Sequence, residues 1–162
     1  MTLGSKSLLL AALAVATLAA APASAQTFTL TATLTGANET PAPINTGAFG
    51  SATVTLNVTT RSISWVVDVF NLPSGVTAGH IHVGAVGTPG PTVVNFVVPT
   101  TASNDFRIAG SLNATEWTLR PDQGIRSADD MIQAILGGNS YVNVHSSVNG
   151  GGEVRGQLTL RP

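Results

Sequence analysis

Strict alternation of apolar and hydroxylated side chains is the feature of this 162-residue sequence that most limits its fold. Residues 27–35 alternate four apolar side chains with five threonines, and residues 51–59 repeat the pattern with serine, threonine and asparagine. Period-two alternation predicts strands with one buried and one solvated face. Residues 62–70 alternate in the same way, but Val66 and Phe70 make the second face partly apolar, as in a central strand.

Shorter strands are predicted further along the chain. They span residues 79–83, 92–98 and 106–110, and a terminal hairpin pairs residues 141–145 with 153–160. Gly-, Pro- and Asn-rich turns separate the strands. The pattern predicts an all-β protein, an antiparallel Greek-key-like β-sandwich of about 7–9 strands with one short helix.

The helix is predicted shortly after residue 127. Ser127 suits the N-cap, and Asp129 and Asp130 suit the positive end of the helix dipole. Met131, Ile132 and Ile135 then provide an apolar stripe on one side.

Residues 1–25 have the features of a signal peptide. Lys6 supplies a positive charge, residues 8–21 are apolar, and Ala23 and Ala25 flank Ser24 in a small-x-small cleavage pattern. The apolar run is short for a retained membrane span. We therefore expect export to the periplasm or the medium, no membrane span after signal cleavage, and a single domain over residues 26–162.

Charge and cysteine content exclude several classes of function. Lys6 is the only lysine, so residues 26–162 carry six arginines against eight acidic side chains. This balance gives no basic surface for nucleic acid, and we expect no nucleic-acid partner. The chain has no cysteine, which excludes disulfides and thiolate chemistry.

Two of the three histidines of the chain lie in residues 79–84, whose sequence is GHIHVG. His80 and His82 are two residues apart on a predicted strand, so both imidazoles lie on the same face. A glycine- and proline-rich turn follows them.

The third histidine lies in the terminal hairpin. By the same parity Tyr141, Asn143 and His145 share one strand face, and on the last strand Glu153 and Arg155 share another. In-register pairing would place His145 opposite or diagonal to these two charged residues. We therefore expect Glu153, Arg155, Asn143 and Tyr141 to surround the histidines.

Two interpretations of this polar cluster stay open. In the first, His80, His82 and His145 are ligands of a metal, since three imidazoles suit copper or zinc, and one copper ion is the expected cofactor. In the second, the histidines belong to the scaffold. Glu153 and Arg155 then form an ion pair that anchors the loop before the last strand.

The chain resembles the CHRD domain family, named from chordin and present in many exported microbial proteins. The resemblance rests on residues 34–39, 79–84, 141–146 and 152–158, which occur in the family's order across nearly the whole expected mature chain. Residues 40–43 depart from the family's usual pattern of an apolar residue followed by two prolines. The resemblance implies an exported, β-rich domain.

A weaker likeness is to the copper half of Cu/Zn superoxide dismutases, which are Greek-key β-sandwiches. In that likeness His80, His82 and His145 would ligate copper, and Arg155 would guide a small anion towards it. The chain lacks a fourth histidine, which would bridge a zinc ion, and a disulfide pair.

The sequence thus favours an exported, non-enzymatic CHRD-type module that binds a protein or polysaccharide ligand or acts in the cell envelope. The alternative is a three-histidine copper-binding protein with superoxide dismutase-like redox activity. The shared face of the three histidines distinguishes the two, because ligation requires their ring nitrogens to converge.

Overall fold

The computed structural model describes residues 26–100 and 103–162. The strands in these ranges are β1 (Thr27–Thr35), β2 (Phe49–Asn57), β3 (Ser62–Phe70), β4 (Val76–Val83), β5 (Thr92–Asn95), β6 (Phe106–Asn113), β7 (Ser140–Ser146), β8 (Val154–Gln157) and β9 (Thr159–Leu160). One α-helix, α1, spans Ala128–Leu136. The signal peptide expected at residues 1–25 lies outside the described residues. No helix in the described ranges is long and apolar enough to cross a membrane.

The strands form one curled antiparallel sheet. Its order is β5-β4-β7-β8-β1-β2-β3-β6, and β9 also pairs with β1. The prediction of an antiparallel all-β protein with one short helix is confirmed, and the nine described strands lie within the expected number. The connections β3–β4, β5–β6 and β6–β7 join strands that are not neighbours in the sheet, so the topology is not a simple meander.

Strand bounds follow the alternation closely where it is strict. β1 and β3 begin and end where predicted, and β2 lies two residues earlier than predicted. β5 ends at Asn95 instead of residue 98. The next residue, Phe96, turns into the core and stacks on Trp65 of β3 with ring centroids 4.8 Å apart.

The curl brings the two ends of the sheet face to face. Phe96 follows β5 at one end of the sheet, and its partner Trp65 lies next to the other end. A side chain on Gly79 of β4 would touch both Phe96 and Ile108 of β6. The two halves therefore share one apolar core, as in a sandwich.

The segment predicted as one final strand divides in two. β8 pairs with β7 over residues 154–157, and β9 pairs with β1 at Leu30 and Thr31. Leu158, fully buried, lies between them. β8 forms a ladder pair with β1 only at Thr35 and Arg155, so the sheet turns a corner between β8 and β9.

The predicted helix is confirmed together with its cap. The Ser127 side chain accepts a hydrogen bond from the backbone N–H of Asp130 at 3.1 Å. Met131, Ile132 and Ile135 are buried against the core. A serine cap of this kind stabilises a helix by about 1 kcal/mol.

The predicted site residues lie on the outer face of β4, β7 and β8. Ile81 and Val142 point inward and are fully buried, so the alternate residues of the same strands point outward. Three loops, residues 36–48, 84–91 and 147–153, contribute contacts on that face. Polar side chains there lie between the sheet and three loops.

Candidate metal centre

The structure brings the three histidines together on the outer face. β4 presents His80 and His82, and the neighbouring strand β7 presents His145. One ring nitrogen from each lies within 4.8 Å of the others. The shortest approach joins His80 Nδ1 to His145 Nε2 at 3.0 Å.

Backbone carbonyls from two loops orient two of the rings. His82 Nδ1 lies 2.9 Å from the carbonyl oxygen of Gly90, and His145 Nδ1 lies 3.1 Å from that of Gly150. A carbonyl oxygen only accepts, so each Nδ1 carries the proton and each Nε2 keeps its lone pair. His82 Nε2 is buried and has no hydrogen-bond partner. This is the arrangement by which proteins orient metal-binding imidazoles.

The third ring completes a set of nitrogen donors. Because His145 Nε2 carries no proton, His80 Nδ1 is the donor in their hydrogen bond when no metal is bound. A shift of that proton to His80 Nε2 would leave three lone pairs: His80 Nδ1, His82 Nε2 and His145 Nε2. The cluster can therefore offer three imidazole nitrogens without changing the charge of any ring.

Burial keeps the three rings neutral. Desolvation, with smaller effects from His145 and His82, lowers the pKa of His80 to about 4. Desolvation also lowers the pKa of His82 and His145, although hydrogen bonds to Gly90 and Gly150 oppose the shift. At neutral pH the rings are thus in the form that binds metal ions.

Tyr141 packs against His82 from the neighbouring strand. The two rings are nearly parallel, with an interplanar angle of 7° and centroids 4.8 Å apart. The Tyr141 hydroxyl accepts a hydrogen bond from the Gly90 N–H at 3.0 Å. One side chain therefore supports both the imidazole and the loop whose carbonyl orients it.

Arg155 covers the other side of Tyr141. Its guanidinium carbon lies 3.5 Å from the ring centroid, and the order β4-β7-β8 places the tyrosine between His82 and the arginine. The guanidinium also donates to the Thr40 hydroxyl and, at 2.8 Å, to the Thr88 carbonyl oxygen. Arg155 is only 3% exposed, so these contacts join two loops to the sheet.

Glu153 has a different environment from the one expected. Its carboxylate accepts from Ser146 Oγ at 2.7 Å and from Asn149 Nδ2 at 2.6 Å. Burial raises the pKa of Glu153, but hydrogen bonds from neighbours that include these two lower it more, so the group is ionised. The predicted ion pair with Arg155 is absent from the described residues, whose ion pairs join other side chains. Glu153 anchors its loop by hydrogen bonds instead.

Sequence reasoning missed Glu39 and the loop carbonyls. Glu39 follows a short 3₁₀ turn, Gly36–Asn38, and is 5% exposed. The amide of Asn143 donates to Glu39 Oε2 at 3.4 Å, so this carboxyl joins the predicted polar neighbours of the histidines. Glu39 ends one of the motifs that carry the family resemblance, residues 34–39, but it lies outside any alternating segment and no local pattern places it beside the histidines.

Fold and site together define a class: an antiparallel all-β protein with three histidines clustered on the outer face of its curled sheet. Residues 30–158 match the CHRD domain. The chain therefore belongs to the CHRD domain family, as the sequence motifs predicted. CHRD domains occur in secreted proteins. Comparison with curated proteins gave no match.

Proposed function

We propose that this CHRD domain protein binds one transition-metal ion, copper in preference, through His80, His82 and His145. The observation that carries the proposal is the convergence of three imidazole nitrogens within 4.8 Å on one face of the sheet. Two of the three rings are already oriented by backbone carbonyls. Binding would therefore require little reorganisation of the site.

The donor set favours copper. Among the described residues, the cluster consists of imidazoles alone. Imidazole suits copper and zinc, and divalent copper binds more tightly than the other first-row ions to a given set of such ligands. Three protein ligands leave room for a further ligand, such as water or a small anion.

The proposed role is metal binding by an exported protein, without a catalytic step. Arg155 supports this choice because its guanidinium contacts Tyr141, Thr40 and Thr88 and serves as a scaffold group. Redox activity and the recognition of a protein or polysaccharide are further hypotheses. A redox assay follows if a metal ion binds in the site, and a search for protein or polysaccharide ligands follows if none binds.

Calorimetric titration with Cu²⁺ tests the proposal. We expect one ion per chain with a Kd below about 1 μM, equivalent to about 8 kcal/mol of binding free energy. His82→Ala should weaken binding at least about a hundredfold, because a ligand and its support are both lost. Gln123→Ala, an exposed control outside the cluster, should leave the affinity unchanged.

A paramagnetic resonance spectrum of the copper complex gives an independent readout. Hyperfine coupling to imidazole nitrogens should be present in the parent protein and altered in His82→Ala. If copper does not bind, or if the parent protein and His82→Ala bind it equally well, the histidines are scaffold residues.

A further inference from the structure

Glu39 is a buried carboxyl group beside the histidine cluster. It is 5% exposed, and its Oε1 atom has no hydrogen-bond partner. Two surface cavities of about 230 and 270 Å³ are both lined by Glu39 and Thr40. The carboxyl group is therefore desolvated but lies next to solvent that can accept or supply a proton.

Asn143 connects Glu39 to the histidines. Its Nδ2 atom donates to Glu39 Oε2 at 3.4 Å, and its Oδ1 atom is buried without a partner. Asn143 lies directly opposite His80 in the pairing of β4 with β7, and it shares a strand face with His145. A change of charge at the histidines would therefore act on Glu39 across one side chain.

The charged groups around Glu39 leave its carboxyl without an ion-pair partner among the described residues. Arg155 on β8 is a positive charge that lowers the pKa of Glu39, but its guanidinium donates to Thr40 and Thr88. Glu153, just before β8, adds a negative charge. His80 lies opposite Asn143 in the pairing of β4 with β7, and His145 shares a strand face with Asn143. Burial, only partly offset by Arg155 and Asn143, raises the pKa of Glu39 to about 7.

We propose that Glu39 releases its proton to solvent when a divalent metal ion binds to the three histidines, and that the resulting carboxylate compensates part of the metal's charge through Asn143. The inference rests on the proposed metal site. The balance is simple: a protonated carboxyl and a free dication become a carboxylate, a bound dication and one proton in solution. Neutral imidazoles bind a metal ion without losing a proton, so Glu39 is the source.

The test counts protons during Zn²⁺ binding. Titration calorimetry at pH 6, in buffers of different ionisation enthalpy, gives the number of protons released per zinc ion. We expect the parent protein to release close to one proton more than Glu39→Gln, which keeps the shape of the side chain but cannot ionise. The exposed carboxyl control Asp122→Asn should release as many protons as the parent.

The affinities give a second readout. At pH 8.5 Glu39→Gln should bind Zn²⁺ about tenfold more weakly than the parent, because its neutral side chain cannot compensate the charge. If Glu39→Gln binds zinc and releases as many protons as the parent, the role of Glu39 is overturned while the metal site stands. If neither protein binds zinc or copper, the metal site fails as well.

A measurement on the parent alone covers the case in which Glu39→Gln does not fold. Proton release should fall between pH 7 and pH 8.5, because Glu39, with a pKa of about 7, is still partly protonated at the lower pH, where the histidines with their lowered pKa are already mostly neutral. Ionisation of a metal-bound water would give the opposite trend, since that release grows as pH rises. Release that is constant or increases with pH contradicts the proposal.

Discussion

His80 Nδ1 lies 3.0 Å from His145 Nε2, although 65 residues separate the two histidines in the chain. The contact follows from the pairing of β4 with β7, in which Ala78 is opposite His145 and His80 is opposite Asn143. The two rings therefore meet diagonally across neighbouring strands. A metal ion would replace this hydrogen bond with two ligand bonds.

Tyr141 supports His82 through its ring and the Gly90 loop through its hydroxyl, and two substitutions can distinguish these contributions to copper binding. Tyr141→Phe keeps the stack and loses the bond from the Gly90 N–H, so copper affinity should change by less than about tenfold. Tyr141→Leu loses both, and affinity should fall about 10–100-fold. Competition titration with a copper chelator measures both values. Equal affinity for the parent and the leucine variant would mean that the stack does not support the site.

Gly152 is required by the space around it. Its φ of +144° is rarely adopted by other residues, and an added Cβ would lie 2.6 Å from Glu39 Oε2 and 2.7 Å from Asn143 Nδ2. Gly152→Ala should lower the free energy of unfolding by about 1–3 kcal/mol. Gly151→Ala is the matched control, because a Cβ there meets no atom within 4 Å. Urea unfolding compares the two; equal losses would contradict the steric argument.

Arg155 should resist even conservative replacement. Lysine cannot reproduce both the planar contact with Tyr141 and the two hydrogen bonds to Thr40 and Thr88. Arg155→Lys should lower the free energy of unfolding by about 1–3 kcal/mol, and the exposed control Arg161→Lys by less than about 0.5 kcal/mol. Chemical denaturation at pH 7.5 measures both. A loss no larger than that of the control would make the stack energetically unimportant.

The stability of the metal-free protein should fall on acidification. The folded-state pKa of His80 is about 4 and its unfolded value is 6.5, so the unfolded chain binds the extra proton. This contribution to stability is complete above pH 6.5 and is lost as pH falls towards 4. His82 and His145 are shifted in the same direction. Each histidine contributes a slope of at most about 1.4 kcal/mol per pH unit.

Glu39 should oppose this trend. Its folded-state pKa of about 7 exceeds the ordinary value of 4.5, so its contribution is complete below pH 4.5 and is lost as pH rises through 7. Glu39→Gln removes the opposing contribution and should lose stability more steeply between pH 7.5 and pH 5. Urea unfolding in the presence of a chelator measures both profiles. Parallel profiles would show that Glu39 has an ordinary pKa.

Much of the scaffold could be predicted from the sequence. The strict alternation of residues 27–35 and 62–70 gave the bounds of β1 and β3, and Ser127 marked the start of α1. The parity of His80 and His82 placed both rings on one face. These features depend on the geometry of a few consecutive residues, which does not change with the rest of the fold.

The local sequence determined the strands, the helix and the face on which each histidine lies. Parity also predicted Tyr141 and Arg155 as neighbours of the histidines, but only the tertiary structure decided the contacts. These are the carbonyls of Gly90 and Gly150, the stack of Tyr141 under Arg155, and the buried carboxyl of Glu39. It also paired Glu153 with Ser146 and Asn149 instead of Arg155. The physical reason is that side-chain parity is a property of the strand itself. Loop contacts depend on the order in which distant strands pair, and no local pattern encodes that order.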